Sequence, residues 1–168
     1  MGKNIILIGM PGCGKSTVGV LLAKRLGYKF IDTDLLIQEK EGKRLFEIIR
    51  DSGSEYFLKT ENEVNLSINA TSAVIATGGS AVYCREAMEH FKKIGKVIYI
   101  RVPLKSLKER IRDFQTRGIL MRGNESFDKM YFERCPLYEK YADAIIDTDE
   151  ESIFYNSIKI EKALETLK

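Results

Sequence analysis

The sequence has little of the chemistry that marks several large classes of protein. It contains one histidine, His90, and three widely separated cysteines, so the usual short spacings of a zinc site or a disulfide framework do not occur. Its longest apolar run, near residues 5–8, is far shorter than the ~20 residues that span a bilayer, and no signal-peptide pattern opens the sequence. We therefore expect a cytoplasmic protein without a membrane partner.

An excess of one charge is also missing. The 27 basic and 24 acidic side chains are mixed along the chain, which is too even a pattern for a nucleic-acid groove. The chain of 168 residues is long enough to bury a core and has the usual length of one domain. We expect a single domain over residues 1–168 and no nucleic-acid partner. We also expect a monomer, because the apolar stripe of the closing helix is short and narrow.

What the sequence does contain is an alternation of short apolar runs with longer amphipathic segments, which is typical of parallel strands joined by crossover helices. The predicted strands are residues 4–8, 28–31, 73–76, 96–101 and 144–146. The predicted helices are residues 15–26, 34–41, 45–51, 54–70, 86–93, 104–113, 127–141 and a closing helix after 150. This order predicts a three-layer, doubly wound α/β domain with a five-stranded parallel sheet, in which ligands bind at the carboxyl ends of the strands.

The segment after the first strand, GMPGCGKS, matches the phosphate-binding pattern G-x-x-x-x-G-K-[ST] between a strand and a helix. Its glycines let backbone N–H groups face phosphate oxygens, and the helix N-terminus adds a positive dipole end. Lys15 offers a charge to the outer phosphates, Ser16 can ligate Mg²⁺, and we interpret Cys13 as a small residue that fits the loop rather than a reactive thiol. The pattern predicts a P-loop that binds ATP through Gly12, Cys13, Gly14, Lys15, Ser16 and Thr17.

The residues after the other strands narrow the reaction. A GTPase would need an N-K-x-D segment, and none occurs; ATPase motors usually place an acid at the end of a hydrophobic strand, whereas the third strand runs into Thr77 and Gly78. Asp32 and Asp34 instead come directly after the second strand, where they suit Mg²⁺ and an alcohol nucleophile. They also suit an N-cap of the next helix, and both roles are compatible.

The segments GMPGCGKSTVGVLLAKRLGYKFIDTD, ATGGSAV, TRGIL and RCPLYEKYADAIIDTD occur in the order and at the spacing of shikimate kinases. The chain resembles that family over nearly its whole length. The resemblance implies a nucleoside-monophosphate-kinase-like fold with a mobile lid. It also implies transfer of the γ-phosphoryl group of MgATP to a hydroxyl of a small carbocyclic acid, shikimate, in aromatic amino acid biosynthesis.

The resemblance also implies roles for individual residues. Lys15 and Ser16 would hold phosphates and Mg²⁺, and Asp32 would assist the metal through water. Asp34 would contact the acceptor hydroxyl and accept its proton. The helices at about 34–70 would bind the acceptor, and a lid at about 112–125 would close over it, although an ordinary surface loop is the competing interpretation. The expected catalytic residues are Lys15, Asp34 and Arg117, and Arg117, in the lid, would also bind ATP. Arg134 would bind the substrate carboxylate through its guanidinium. The expected acceptor-binding residues are Asp34, Phe57, Leu58, Gly78, Gly79, Ser80 and Arg134.

Three positions depart from the family pattern. Shikimate kinases usually carry G-E-x-x-F-R-x-x-E where this chain has GSEYFLKTE, so Leu58 stands at a carboxylate-binding arginine position. Lys59 is a poor substitute because one helical residue turns the side chain by roughly 100°. Ser80 replaces a glycine, where it would intrude on the pocket or offer a hydrogen bond. Gly118 replaces a common lid proline, which should make the lid more flexible.

These departures leave three interpretations open. The first is a shikimate kinase that relies on Arg134 alone for the carboxylate. The second is a related enzyme that phosphorylates another small hydroxylated compound because Leu58 and Ser80 alter the acceptor site. The third is a nucleotide-binding regulator without catalysis, which is disfavoured by the intact Lys15, Ser16, Asp34 and Arg117.

Overall fold

The computed structural model describes residues 3–111, 118–121, 125–148 and 152–167. Within these ranges the strands are β1 (Asn4–Ile8), β2 (Lys29–Asp32), β3 (Ala73–Ala76), β4 (Gly95–Arg101) and β5 (Ala144–Asp147). The α-helices are α1 (Lys15–Leu26), α2 (Thr33–Glu41), α3 (Leu45–Ser67), α4 (Arg85–Ile94), α5 (Leu104–Arg110), α6 (Phe127–Tyr141) and α7 (Ile153–Thr166). A 3₁₀ turn, Ala81–Tyr83, lies between β3 and α4.

The strands form one sheet in the order β2-β3-β1-β4-β5, and every neighbouring pair is parallel. The predicted fold, a doubly wound five-stranded parallel sheet with helices on both faces, is confirmed. β1 is central, and the chain passes to one side of it for β2 and β3 and to the other for β4 and β5. The carboxyl ends of β1, β2 and β3 therefore bring their following segments side by side, at the place where such sheets bind ligands.

Hydrophobic burial on both faces explains why the central strands are continuous apolar runs. Every residue of β1 and of β3 is buried, as expected where helices cover both sides of a parallel sheet. A second, smaller cluster holds α2 and α3 together beside the sheet. This cluster contains Ile37, Leu45, Ile48, Phe57, Val64 and Leu120.

Element boundaries differ from the sequence predictions in instructive places. The predicted break between helices at residues 45–51 and 54–70 appears as a kink inside α3, where Gly53 has φ 82° and ψ 169°. The helix predicted over 104–113 ends earlier, at Arg110. Asp32 ends β2 and caps α2, accepting a hydrogen bond from the backbone N–H of Asp34 at 3.0 Å. Strand and cap therefore share one residue.

The predicted lid, residues 112–125, lies mostly outside the described residues, and so does Arg117. Gly118 is described and has φ +63°, a conformation that proline cannot adopt. A Cβ at this position would lie 2.5 Å from Leu45 Cβ. In the described part of the chain, no helix has the length and apolar character needed to cross a membrane.

Candidate active site

The loop between β1 and α1 has the geometry of an anion-binding site. Gly12 and Gly14 have φ +80° and +95°, and Gly14 precedes the first turn of α1, which contains no acidic residue. Backbone N–H groups at such a helix start favour phosphate. Lys15 Nζ donates to the carbonyl oxygens of Gly9 at 2.8 Å and Met10 at 2.9 Å, so its charge is held at this loop.

Cys13 belongs to the structure of the loop. Its side chain is buried, and a Cβ on Gly9 would lie 2.9 Å from its sulfur. The Sγ atom also lies 3.6 Å from Lys15 Nζ. These contacts fit the interpretation of Cys13 as a packing residue that shapes the loop.

Ser16 and Asp32 meet directly beside the loop. Ser16 Oγ donates to Asp32 Oδ2 at 2.6 Å, which joins the start of α1 to the end of β2. A hydroxyl and a carboxylate are hard oxygen ligands, and Mg²⁺ in phosphate sites needs only one or two carboxylates because substrate phosphates and water complete its shell. Among the described residues there is no cluster of three or more His, Cys, Asp or Glu side chains that could hold a metal by itself. The Ser16–Asp32 pair thus fits a metal that arrives with its nucleotide.

Asp34 projects from the first turn of α2 into the same region. Burial, followed by repulsion from Asp32, raises its pKa to about 6, and Lys15 opposes the rise. The carboxyl group is therefore mostly ionised at pH 7 but far more basic than an exposed aspartate. A carboxylate with that pKa can accept a proton from a reacting hydroxyl near neutral pH.

Gly78 and Gly79, directly after β3, form a floor with no room for larger side chains. A Cβ at Gly78 would collide with Glu61 Oε1 and lie 2.9 Å from Asp34 Oδ1, while a Cβ at Gly79 would lie 2.7 Å from the Cδ atom of Pro11. The Gly78 N–H donates to Thr33 Oγ1 at 3.2 Å, and the Tyr138 hydroxyl donates to the Gly79 carbonyl. The floor is thus tied to α2 and α6.

Arg134 is nearly inaccessible, with 1% of its surface exposed, yet it lines the site. Its Nε donates to the Tyr83 hydroxyl at 3.2 Å, its Nη2 donates to the Leu120 carbonyl, and its guanidinium lies 5.0 Å from the centroid of the Tyr83 ring. A guanidinium fixed in this way offers its remaining donors in a set direction. Such a group is suited to a carboxylate.

The two neighbours on α3 that the sequence placed in the acceptor wall behave differently. Phe57 is buried and lines the site. Leu58 is partly buried against the α2–α3 cluster, and in the described part of the chain it does not line the cavity. The backbone carbonyl of Leu58 instead lies 3.5 Å from Cys84 Sγ.

Ser80 lines the cavity, but its hydroxyl points to a partner behind the floor. Ser80 Oγ donates to Glu61 Oε2 at 2.7 Å, and both residues are buried. Of the two possibilities raised by the sequence, the structure shows a hydrogen bond, made within the protein. Ser80 therefore does not present a free hydroxyl to the pocket in this conformation.

These segments enclose one cavity of about 490 Å³. It joins the P-loop to the floor and to α6, so Lys15, Asp34 and Arg134 share it. Cys13 and Asp32 lie behind its lining. The described lining residues are Pro11, Gly12, Gly14, Lys15, Ser16, Thr17, Asp34, Leu45, Phe57, Thr77, Gly78, Gly79, Ser80, Arg110, Gly118, Ile119, Leu120 and Arg134.

Sequence reasoning missed two residues of this site. Arg110 lines the cavity at the end of α5; Ile111 beside it packs close to Gly12, which puts Arg110 on the P-loop side. Its position next to the polar lid segment was the available signal. Glu61 is fully buried under the floor, and the only sequence signal for it was its agreement with the family pattern.

Comparison with known proteins agrees with this geometry. The protein-family model of shikimate kinase matches residues 11–168. A shikimate kinase from Clostridium botulinum (strain Langeland) is 40% identical over 156 residues, covering 90% of this chain and 92% of the relative.

Solved structures extend the agreement to three dimensions. The shikimate kinase from Acinetobacter baumannii, solved in complex with shikimate, superposes with a TM-score of 0.88 at 30% identity and covers 100% of this chain and 96% of its own. The shikimate kinase from Aquifex aeolicus gives a TM-score of 0.83 at 34% identity, with 96% of both chains covered. These matches agree with a cavity that holds the P-loop, Asp34 and the buried Arg134, and they show that the chain belongs to the shikimate kinase family.

Proposed function

We propose that this protein transfers the γ-phosphoryl group of ATP to a hydroxyl group of shikimate. The observation that carries the proposal is the single cavity in which a P-loop lysine, a basic carboxylate and a buried arginine face one another. Phosphoryl transfer needs alignment and charge neutralisation more than covalent participation by the protein. The similarity to shikimate kinases supports shikimate as the acceptor.

The nucleotide phosphates would lie on the P-loop, with Lys15 turning from the loop carbonyls to phosphate oxygens. Ser16 and Asp32 would hold Mg²⁺, Asp32 through water, and the metal would supply neutralisation of the phosphate charge. Arg110 is placed to contact the nucleotide from the end of α5. Arg117 and the lid at about 112–125 would close over the nucleotide and acceptor and exclude water.

The acceptor would lie over the floor of Gly78 and Gly79, against Phe57, in the region of the helices at about 34–70. Arg134 would bind its carboxylate, and Asp34 would contact the reacting hydroxyl. As the acceptor oxygen bonds to the γ-phosphorus, the bond from that phosphorus to the β–γ bridging oxygen breaks. ADP leaves, and the hydroxyl proton passes to Asp34.

A related enzyme with a different acceptor is the second candidate, and a specific observation favours it. On the acceptor side of the described lining, Arg134 is the one cationic side chain. Neither departure adds a donor for an acceptor carboxylate, because Leu58 has none and the Ser80 hydroxyl donates to Glu61. A lost charge-assisted hydrogen bond lowers binding by about 1.5–3 kcal/mol, or roughly ten- to a hundredfold.

An acceptor panel separates the candidates. ADP release is measured with shikimate, other cyclic polyols, sugars, hydroxy acids and hydroxy amino acids, and each product is identified by mass. We expect shikimate to give the highest kcat/KM; another compound that exceeds it by more than about tenfold would establish the altered acceptor. ATP binding without turnover of any acceptor would favour the nucleotide-binding regulator. A control reaction without acceptor measures ADP release by ATP hydrolysis alone, and this rate is subtracted.

A further inference from the structure

Glu61 is an ionisable group near the acceptor floor that is buried without a full set of hydrogen-bond partners. Its side chain is fully buried, its Oε2 accepts one hydrogen bond from Ser80, and its Oε1 has no hydrogen-bond partner among the described residues. The orphaned oxygen lies against Gly78, across from Asp34 Oδ1. No described cation forms a salt bridge with it.

The position of Leu58 explains why this carboxyl group lacks a charged partner. Residue 58 lies three positions before Glu61 on α3, and side chains at this spacing are neighbours on a helix. A cationic side chain at position 58 could reach Glu61, whereas leucine cannot neutralise it. An unpaired buried carboxylate is costly enough that the group takes up a proton instead.

We propose that Glu61 is a neutral positioning residue in the working enzyme, which holds Ser80 under the acceptor floor and limits acceptor binding when it ionises. This inference rests on the proposed function, because the acceptor it concerns is an anion held by Arg134. A proton on Oε1 removes repulsion between Glu61 and Asp34 across Gly78. Loss of that proton places a second negative charge beneath the acceptor.

Charged and titratable groups face Glu61 from several packed elements. Burial raises its pKa to about 8; the Ser80 hydrogen bond opposes this rise, Asp34 on α2 adds to it, and Arg134 on α6 and Lys15 on α1 oppose it. Cys84, after the 3₁₀ turn, has a pKa raised to about 12, by burial first and by Glu61 second, so it stays neutral in the relevant range. Among these described groups, Glu61 is thus the one that changes charge near pH 8.

The test compares the wild-type protein with Glu61→Gln, which keeps the size and neutral form of the protonated acid. KM for shikimate and for ATP are measured from pH 6.5 to 9.5. We expect the wild-type KM for shikimate to rise roughly threefold to tenfold across pH 8, and that of Glu61→Gln to change less than about twofold. KM for ATP should follow one profile in both proteins.

Ser80→Ala supplies a second variant, because removing the hydrogen bond should raise the pKa of Glu61 further and shift the rise in KM to higher pH. The matched control is Glu63→Gln, which replaces an exposed glutamate on the same helix that pairs with Lys40 at 2.7 Å. It should keep the wild-type profile. A flat wild-type KM, or the same rise in Glu61→Gln, overturns the proposal.

Thermal unfolding keeps the inference separate from the proposed acceptor. A glutamate whose folded pKa lies above its unfolded value loses stability as pH rises between those two values. The Tm of Glu61→Gln minus the wild-type Tm should therefore increase from about pH 4.5 to about pH 8. Above pH 8 this difference should stay constant. If shikimate is not phosphorylated, the proposed function fails and this curve alone decides: a pH-independent difference in Tm overturns the inference.

Discussion

Backbone atoms build the phosphate side of the cavity, whereas buried side chains build its acceptor side. The P-loop places its N–H groups by glycine geometry at Gly12 and Gly14, within a few residues of chain. The acceptor side collects Phe57, Ser80 and Arg134 from three distant segments. A site made from local backbone changes little when neighbouring side chains vary, while a site made from distant side chains can change its ligand by one or two substitutions. The departure at Ser80 lies on the acceptor side of the cavity, and Leu58 lies beside Phe57 on the helix that contributes to that side.

The largest effect on the phosphate side is expected from Lys15, the charged side chain that acts together with the backbone N–H groups of the P-loop. Lys15→Met should lower kcat by about a thousandfold or more, because the charge on the transferring phosphoryl group loses its neutralising partner. Turnover is followed by ADP release, and folding by Tm. Lys24→Met, an exposed lysine on the same helix, is the control and should keep activity. Activity of Lys15→Met within tenfold of wild type would contradict the assigned role.

Asp34 stands between the two sides, and its replacement should separate chemistry from nucleotide binding. Asp34→Asn should lower kcat for the acceptor by roughly 10²- to 10⁴-fold, while the Kd for ATP changes by less than about threefold. Single-turnover kinetics and equilibrium titration measure the two quantities. Glu39→Gln, an exposed acid on α2, is the matched control. Wild-type rates from Asp34→Asn would remove its proposed role.

The same variant should be more stable than the wild type. The folded pKa of Asp34, about 6, lies above the ordinary 3.8, so stability is lost as pH rises through this range. Asparagine avoids that loss, and the free energy of unfolding should favour Asp34→Asn by about 1–3 kcal/mol above pH 6, with the difference shrinking below pH 4. Denaturant unfolding at pH 4 and pH 7 checks the sign. An advantage that grows toward acid would refute the shifted pKa.

Gly78 and Gly79 test whether the two sides are independent. A methyl group on Gly79 meets Pro11 of the P-loop at 2.7 Å, whereas one on Gly78 meets Glu61 and Asp34. Overpacking of this kind costs about 1–3 kcal/mol. Gly79→Ala should therefore raise KM for ATP roughly tenfold, while Gly78→Ala should raise KM for shikimate and leave ATP binding nearly unchanged. Equal effects of both variants on both substrates would show that the floor acts as one unit.

The difference between the sides also determines how far sequence could predict the site. The positions of the five strands along the chain, the P-loop and an interruption at Gly53 follow from local patterns; the structure agrees with the strands and the loop, and shows the interruption as a kink within α3. The hydrogen bond between Ser80 and Glu61 could not be predicted, because it joins segments nineteen residues apart whose approach depends on packing of α3 against the 3₁₀ turn Ala81–Tyr83. Leu58 was placed in the pocket wall by family alignment alone, and helix rotation puts its side chain on the α2–α3 cluster.

Leu58→Arg offers the smallest and most discriminating effect. An arginine at this position stands three residues before Glu61 on α3, where its guanidinium can pair with that carboxyl group and still offer further donors to the acceptor carboxylate. We expect kcat/KM for shikimate to rise about threefold to tenfold at pH 7, mainly through KM, because the arginine strengthens binding of an anion without touching the reacting hydroxyl. Lys59→Arg, on the exposed face one residue on, is the control and should change little.

The pH profile of Leu58→Arg then tells which group the new arginine serves. Pairing with Glu61 would lower the pKa of that carboxyl group and balance its charge, so the rise in KM near pH 8 should disappear. An arginine that bypasses Glu61 and reaches the acceptor directly would lower KM at every pH and leave the rise in place. No change in kcat/KM would show that Leu58 does not limit shikimate use, and the different acceptor would then need another structural cause.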